Sequence, residues 1–293
     1  MTQTTASAQT AATPARRRGL VERARRRQQT FRITVLALTT VALLVPLVSL
    51  FEFSIRFPLT GEVSFDAWER VFAGNTGEYS TLDVLWSGLT NSLIMCVLTV
   101  AIMLLLLVPT MVWVRLKVPA MDRAVEFICL LALTIPAVVL VVGLAPIYRF
   151  IASTPLGSNT VWLAFAYVVL VLPFAYRSID AGLRSIDLRT LTEAARSFGA
   201  SWPVIILRVI LPNIRTALIS ASFVTIAVVL GEFTVARFLA RDNLQTALFQ
   251  INLSDGQIAA VMSLLALGVT TILLIVLDLL AGRSKRKPGK ATS

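Results

Sequence analysis

The sequence predicts an all-α protein that crosses a membrane six times, and three observations carry that expectation. Of 293 residues, 56% are hydrophobic and only 15% are charged, where a soluble domain carries about 25% charged residues. The apolar residues fall into long runs, several of them close to the roughly 20 residues a helix needs to cross a hydrocarbon core. The basic residues concentrate in alternate connections between those runs, as the positive-inside rule requires. There is no histidine, and the two cysteines, Cys96 and Cys129, both lie inside apolar runs. That removes the commonest metal ligand and general base and offers no disulfide or metal pattern.

Taken in order, residues 1–30 read as a disordered basic N-terminus, with Arg16, Arg17, Arg18, Arg23, Arg25, Arg26 and Arg27 ahead of the first apolar run at 33–51. No small-residue cleavage site follows that run, so it reads as a retained anchor rather than a cleaved signal. A polar, acidic segment holds Glu52, Glu62, Asp66, Glu69, Glu78 and Asp83; within it, residues 65–72 have the pattern of a short amphipathic helix. The second span is placed at 89–114, with Trp113 as an interfacial anchor. The third, 124–145, contains Pro136, tolerated in a span when neighbours satisfy the freed carbonyl. A short external connection at 146–160 and a fourth span at 161–176 follow. The fifth span is placed at 216–236, then an external loop reaching Asp255, and a sixth span at 257–281. The six-helix domain thus occupies 31–282, and residues 283–293 form a basic tail.

With both termini inside, basic residues number eight before the first span, three between the second and third, six between the fourth and fifth, and five in the tail. Only Arg56, Arg70, Arg149, Arg237 and Arg241 fall outside. The net charge of +11 therefore reads as a topology signal, and a nucleic-acid partner is not expected.

The long inner loop, about 177–215, carries the most distinctive pattern. Thr190 and Glu193 have capping-box spacing. Ala194 and Ala195 give a smooth helical surface, and Gly199 suits the left-handed residue that ends a helix. Ser201 is placed to cap a second helix with Pro203 in its first turn, and Pro212 to break it before the fifth span. Glu193, Ala194, Ala195, Gly199, Val209, Leu211 and Pro212 stand at the offsets of Glu-Ala-Ala, three residues, Gly, nine residues, aliphatic, any, Leu, Pro. That pattern resembles the coupling loop of ABC importer permeases, with Val209 where the family's pattern has isoleucine. The resemblance extends over roughly residues 91–280.

The resemblance implies a type I importer permease fold and a plasma (inner) membrane location. It implies pairing with a second permease, the same chain or a different one, two cytosolic ATPase subunits and an external substrate-binding protein. The chain has no Gly-rich Lys-Ser/Thr phosphate loop, so ATP and Mg would be bound by the partner ATPase, with no cofactor, metal or catalytic residue in this chain. Two further residues are candidates for the substrate path. Glu232, in Gly231-Glu232-Phe233, is an acidic group in a span, which faces a protein interior or a water-filled route; the alternative is a snorkelling or hydrogen-bonded structural carboxylate. Asn91 stands at the mouth of the second span, where the alternative is a helix-packing contact.

The spermidine/putrescine-type permeases are the group resembled most, which implies a polyamine; iron, thiamine, phosphonate or another oxyanion are the alternatives. An ion-coupled secondary transporter would call for charged pairs or broken helices at the midplane and repeat symmetry between halves, and the sequence displays neither.

Overall fold

The computed structural model describes residues 14–56, 61–73, 81–155, 157 and 159–283. Among them the structure is helical, with one isolated bridge between Arg56 and Val63 as the sole β pairing. Helix α1 spans Pro14–Ile55, so helix begins well before residue 30; residues 1–13, like 284–293 of the basic tail, lie outside the described residues. Helix α2, Asp66–Ala73, is the expected amphipathic helix. Its buried Ala67 and Val71 face a small core with Ile251, Ile258 and Met262. The Trp68 indole N–H donates to the Ser54 hydroxyl at 3.1 Å, and Arg70 pairs with Asp255 at 3.2 Å.

Four helical stretches are each long and apolar enough to cross a membrane: Gln28–Ile55, Leu82–Lys117, Thr160–Arg184 and Gly256–Val276. Two bent pairs complete six spans if each pair is taken as one. The first pair, Pro119–Thr134 with Ala137–Ala152, stands where the third span is expected at 124–145 and is longer and sharply bent. Helix α3, Thr81–Lys117, is followed by a 3₁₀ turn, Pro119–Met121, and α4, Asp122–Leu131. After a second 3₁₀ turn, Ala132–Thr134, the axis turns by 102° into α5, Ala137–Ala152.

The cause is local. Ile135 is extended (φ −93°, ψ 113°), the region a residue before proline prefers, and Pro136 cannot donate back across the break. Pro46, Pro109, Pro146 and Pro173 lie inside unbroken helices, so the pre-proline conformation, and not proline alone, makes the bend. Helix α5 also occupies much of the connection expected at 146–160.

The expected fourth span, 161–176, proves longer. A 3₁₀ turn at Thr160–Trp162 leads into α6, Leu163–Arg184. Next come α7, Leu188–Ser197, α8, Trp202–Val204, a π-helical stretch, Ile205–Ile210, and α9, Leu211–Asn213. The axis then turns by 82° into α10, Arg215–Gly231. Two residues past Pro212, the break falls at Ile214 (φ −103°, ψ 15°). The Asn213 side-chain amide donates to the Val209 carbonyl at 2.7 Å, satisfying an acceptor at the disrupted end.

The fifth span stops at Gly231, not 236, and the loop expected up to Asp255 is mostly helix: α11, Thr234–Phe238, and α12, Leu244–Ser254. Helix α13, Gly256–Arg283, closes the described chain. Helices α3, α6 and α10 form the centre, their buried faces joined through Met103, Leu107, Tyr167, Val171, Ile179 and Ala221. Gly182 makes the α6–α10 contact possible: a Cβ there would lie 2.4 Å from the Ala217 Cβ. The outward surfaces of α1, α4 and α5 expose Leu43, Val48, Phe127, Val139 and Phe150, as helices meeting lipid or another apolar chain do.

Candidate functional site

The hairpin between α6 and α10 holds all seven residues of the loop pattern. Its helix α7 starts three residues earlier than the Thr190–Glu193 box would place it. Asp187 is the cap: its carboxylate accepts from the Thr190 amide (3.2 Å) and from the Thr190 hydroxyl (2.7 Å). These bonds hold the Asp187 carboxyl below the usual carboxylate range. Glu193 does not reach back to a cap; it accepts from Arg189, one turn before it, at 2.9 Å, and that partner pushes the Arg189 pKa up. An aspartate closer to the end of α6 has taken the capping role that the sequence pattern gave to threonine.

Leu188, Leu191, Thr192 and Ala195 form the inner face of α7 at helical spacing, buried or half-buried, with the Thr192 hydroxyl bonded to the Leu188 carbonyl. Arg189, Glu193, Ala194, Arg196 and Ser197 are exposed. The two alanines therefore divide: Ala194 faces out, and Ala195 packs against the main core. The helix closes as the glycine predicted. Gly199 has φ +78°, its N–H donates to the Arg196 carbonyl at 2.9 Å, and the Ala200 N–H donates to the Ala195 carbonyl at 3.1 Å. That pair of bonds is the Schellman arrangement, and it leaves Phe198 at the turn 90% exposed.

Ser201 precedes the second helix in an extended conformation without a side-chain cap bond. Beyond it, Ile205, Ile210 and Ile214 are fully buried, Val209 and Leu211 are half-buried and Pro212 is exposed. The result is a two-layer hairpin, its inner layer anchored in the core and its outer face presenting a charged helix with one bare aromatic ring.

At this same end, four charged side chains that the sequence reading had not singled out tie the helices together. Arg115 of α3 pairs with Asp180 of α6 and lies 3.7 Å from Asp122 of α4. Arg184 bridges Asp180 at 2.7 Å and Asp122 at 3.8 Å. Nothing in their sequence separation marks them; only the return of α6 beside α3 brings them together.

Glu232 and Asn91 lie towards the other end of α6, about 25 Å away at 1.5 Å per residue, and both are engaged in holding one connection. Glu232 is 9% exposed, and its two side-chain oxygens accept from the Val235 (2.8 Å) and Ala236 (3.3 Å) amides at the start of α11. These are the bonds a structural, hydrogen-bonded carboxylate makes. Asn91 donates to the Asp242 carbonyl at 3.3 Å.

Asn243, which sequence reasoning missed, is central here. Fully buried, it donates to the Glu232 carbonyl at 2.6 Å and to the Tyr167 hydroxyl at 3.2 Å, and it forms a reciprocal capping box with Thr246. The neighbouring Leu244 amide donates to Ser92 of α3 at 2.9 Å. The Asn243–Thr246 spacing was the available signal. Gly88 lets α12 approach α3, since a Cβ there would lie 2.8 Å from the Ala247 Cβ and 2.9 Å from the Asn243 carbonyl oxygen.

Comparison with known proteins places these features in a family. Residues 110–287, more than half the chain, match the model of the binding-protein-dependent transport system inner membrane component. That region contains the whole α6–α10 hairpin and Asn243 with Glu232, Tyr167 and Thr246. The methionine import system permease protein MetP of Bacillus subtilis is 34% identical over 103 residues, covering 35% of this chain and 45% of MetP. A probable ABC transporter permease protein of Sinorhizobium fredii, y4fN, is 32% identical over 179 residues, 58% of this chain and 30% of that protein. The chain thus spans less than half the length of either relative. With the family match covering both ends of the helical centre, the chain belongs to the family of binding-protein-dependent transport system inner membrane components.

Proposed function

We propose that this chain is the permease subunit of an ATP-driven, binding-protein-dependent importer, embedded in the plasma (inner) membrane with both termini in the cytoplasm. The observation that carries this reading is the exposed, doubly capped helix α7, with Glu193 and Ala194 facing outward and Phe198 bare at its end. Such a surface suits insertion into a groove on a soluble partner. In this reading Glu193, Ala194, Ala195, Gly199, Val209, Leu211 and Pro212 form the element that two cytosolic ATPase subunits push, each against one permease of a homo- or heterodimer. ATP and Mg bind on those subunits, and an external binding protein delivers solute at the opposite face. Rocking of the spans then alternates access.

For the solute, the polyamine reading rests on the Gly231-Glu232-Phe233 context and the layout of the spans. Each Glu232 oxygen accepts one amide of α11 and keeps a further lone pair for another donor. Methionine, the solute in the name of the Bacillus subtilis relative, stands as a reading to test beside polyamines, iron, thiamine, phosphonate and oxyanions.

The test is reconstitution with the ATPase and binding protein in proteoliposomes. Glu193→Lys and Gly199→Pro should leave the chain inserted while ATP hydrolysis and uptake become uncoupled. Normal coupled uptake by both variants would overturn the role given to α7. A cysteine at Arg196 should be labelled from the cytoplasmic side only.

A further inference from the structure

Between α3 and the arm formed by residues 202–213 opens a groove of about 480 Å³, lined by Pro109, Thr110, Trp113, Lys117, Trp202 and Ile206. Its chemistry is graded along its length. Along α3, Pro109 and Lys117 stand about 12 Å apart at 1.5 Å per residue, with Trp113 between them, so the α3 side runs from apolar to cationic, and Trp202 and Ile206 line the side of the arm.

Lys117 makes no ion pair or hydrogen bond among the described residues. The nearby carboxylates Asp122 and Asp180 are held by Arg115 and Arg184. Beside the groove, the Arg196 guanidinium sits over the Trp202 ring, 5.7 Å from its centroid, without a carboxylate partner. Neither indole N–H donates to a protein acceptor among the described residues. The Thr110 hydroxyl is bonded to the Leu106 carbonyl at 2.6 Å, so the unmatched groups are cations and indole donors.

We propose that this groove holds one anionic phospholipid. Its phosphate rests on Lys117 with Arg196 beside it, and the upper part of one acyl chain lies between Trp113 and Trp202 over Pro109 and Ile206. The proposal rests on the reading of this chain as a membrane permease with α7 at the headgroup level.

Three physical arguments choose the occupant. Tryptophan with a basic residue is the pairing found where a helix passes from hydrocarbon into headgroups. Basic pockets between helices on the inner side of a membrane recognise anionic headgroups. The groove is lined from two elements, α3 and the arm, so an occupant touching both bridges them. A soluble anion would satisfy the cations but leave the two indole faces, Pro109 and Ile206 in water.

The test is native mass spectrometry of the purified full-length chain in detergent, with phosphatidylglycerol or phosphatidylcholine added. The wild type should retain one phosphatidylglycerol in preference to phosphatidylcholine, and Lys117→Gln should weaken that preference about fivefold, the worth of one lysine near an anionic surface. Arg208→Gln, on the exposed side of the same arm, should keep it and serves as the control. Trp113→Ala should lower retention of both lipids.

Equal retention of the two lipids by the wild type, unchanged preference in Lys117→Gln, or equal loss in Arg208→Gln would overturn the proposal. Displacement by millimolar inorganic phosphate would also overturn it, in favour of a soluble anion. The measurement needs neither ATPase nor solute, so failure of coupled uptake with lipid retention intact would count against the importer reading alone.

Discussion

Arg115 and Asp180, 65 positions apart in sequence, form a direct ion pair joining the end of α3 to the last turns of α6. Their side chains are only 13% and 17% exposed. Asp122 and Arg184 close the cluster from α4 and from the end of α6. A buried pair adds little net stability beyond an apolar substitute, yet removing one member leaves its partner charged in a dry place. Asp180→Ala should therefore lower the unfolding midpoint of the detergent-purified protein, by an amount equivalent to about 2 kcal/mol, because Asp122 still faces Arg115. The double variant Arg115→Leu/Asp180→Leu should recover most of the loss. If Asp180→Ala melts like the wild type, the cluster does not hold these helices.

The cap of α7 gives a pH dependence with a defined sign. Asp187 has its pKa lowered by the Thr190 hydroxyl and amide, so its contribution is present above the ordinary aspartate pKa of about 3.9. It is lost as the pH falls through the lower folded value. Asp187→Ala should fray α7 at neutral pH, seen as faster amide exchange across residues 188–197, while Asp187→Asn should retain most of the protection. The stability difference between Asp187→Ala and wild type should shrink as the pH drops below about 4. A constant difference down to pH 2.5 would sink the assignment of Asp187 as the cap.

Contact between α6 and α10 depends on the missing side chain at Gly182. Gly182→Ala places a methyl 2.4 Å from the Ala217 Cβ, an overlap that the helices relieve only by moving apart. Overpacking of this kind costs about 1–3 kcal/mol. Adding Ala217→Gly should restore the thermal midpoint, since the same space is then filled from the other side. Failure of the double variant to recover would place the defect elsewhere.

Glu232 allows its structural and transport roles to be separated. Glu232→Ala leaves two amides of α11 without their acceptors, which costs about 1–3 kcal/mol where such groups are buried. Expected is a lower midpoint with an unchanged KM for uptake, and a milder effect for Glu232→Gln. A raised KM in Glu232→Gln at normal stability would return this carboxylate to the substrate path.

Much of the architecture was legible because burial in lipid leaves a coarse, long-range signal in composition. The six apolar segments and the amphipathic α2 needed no tertiary information. The bend before the fifth span was signalled by Pro212, but the one at Pro136 did not announce itself, since Pro136 breaks its helix while Pro109 and Pro173 do not; the difference lies in whether Ile135 can be accommodated in an extended conformation. Helix α12 was hidden by polar flanks that read as a loop, although Asn243 and Thr246 carried its cap. Within the hairpin, Gly199 was readable because only its own backbone geometry matters. The cap was misassigned because Asp187 and Thr190 compete for adjacent registers, and the chain's path out of α6 decides between them. Arg115 and Asp180 were beyond reach, as their meeting depends on how three separate helices converge.

The two ends of the hairpin run into α6 and α10, and those two helices touch closely at Gly182 and Ala217, within a turn or so of both junctions. If α7 is the element an ATPase pushes, as proposed, the load would enter the helix pair through two connections. A single strut would let the pair tilt about its attachment point; two struts clamped so near their roots resist tilting and carry thrust along the pair as a unit. In that reading, the missing methyl group at residue 182 is what lets the two connections be clamped so near their roots.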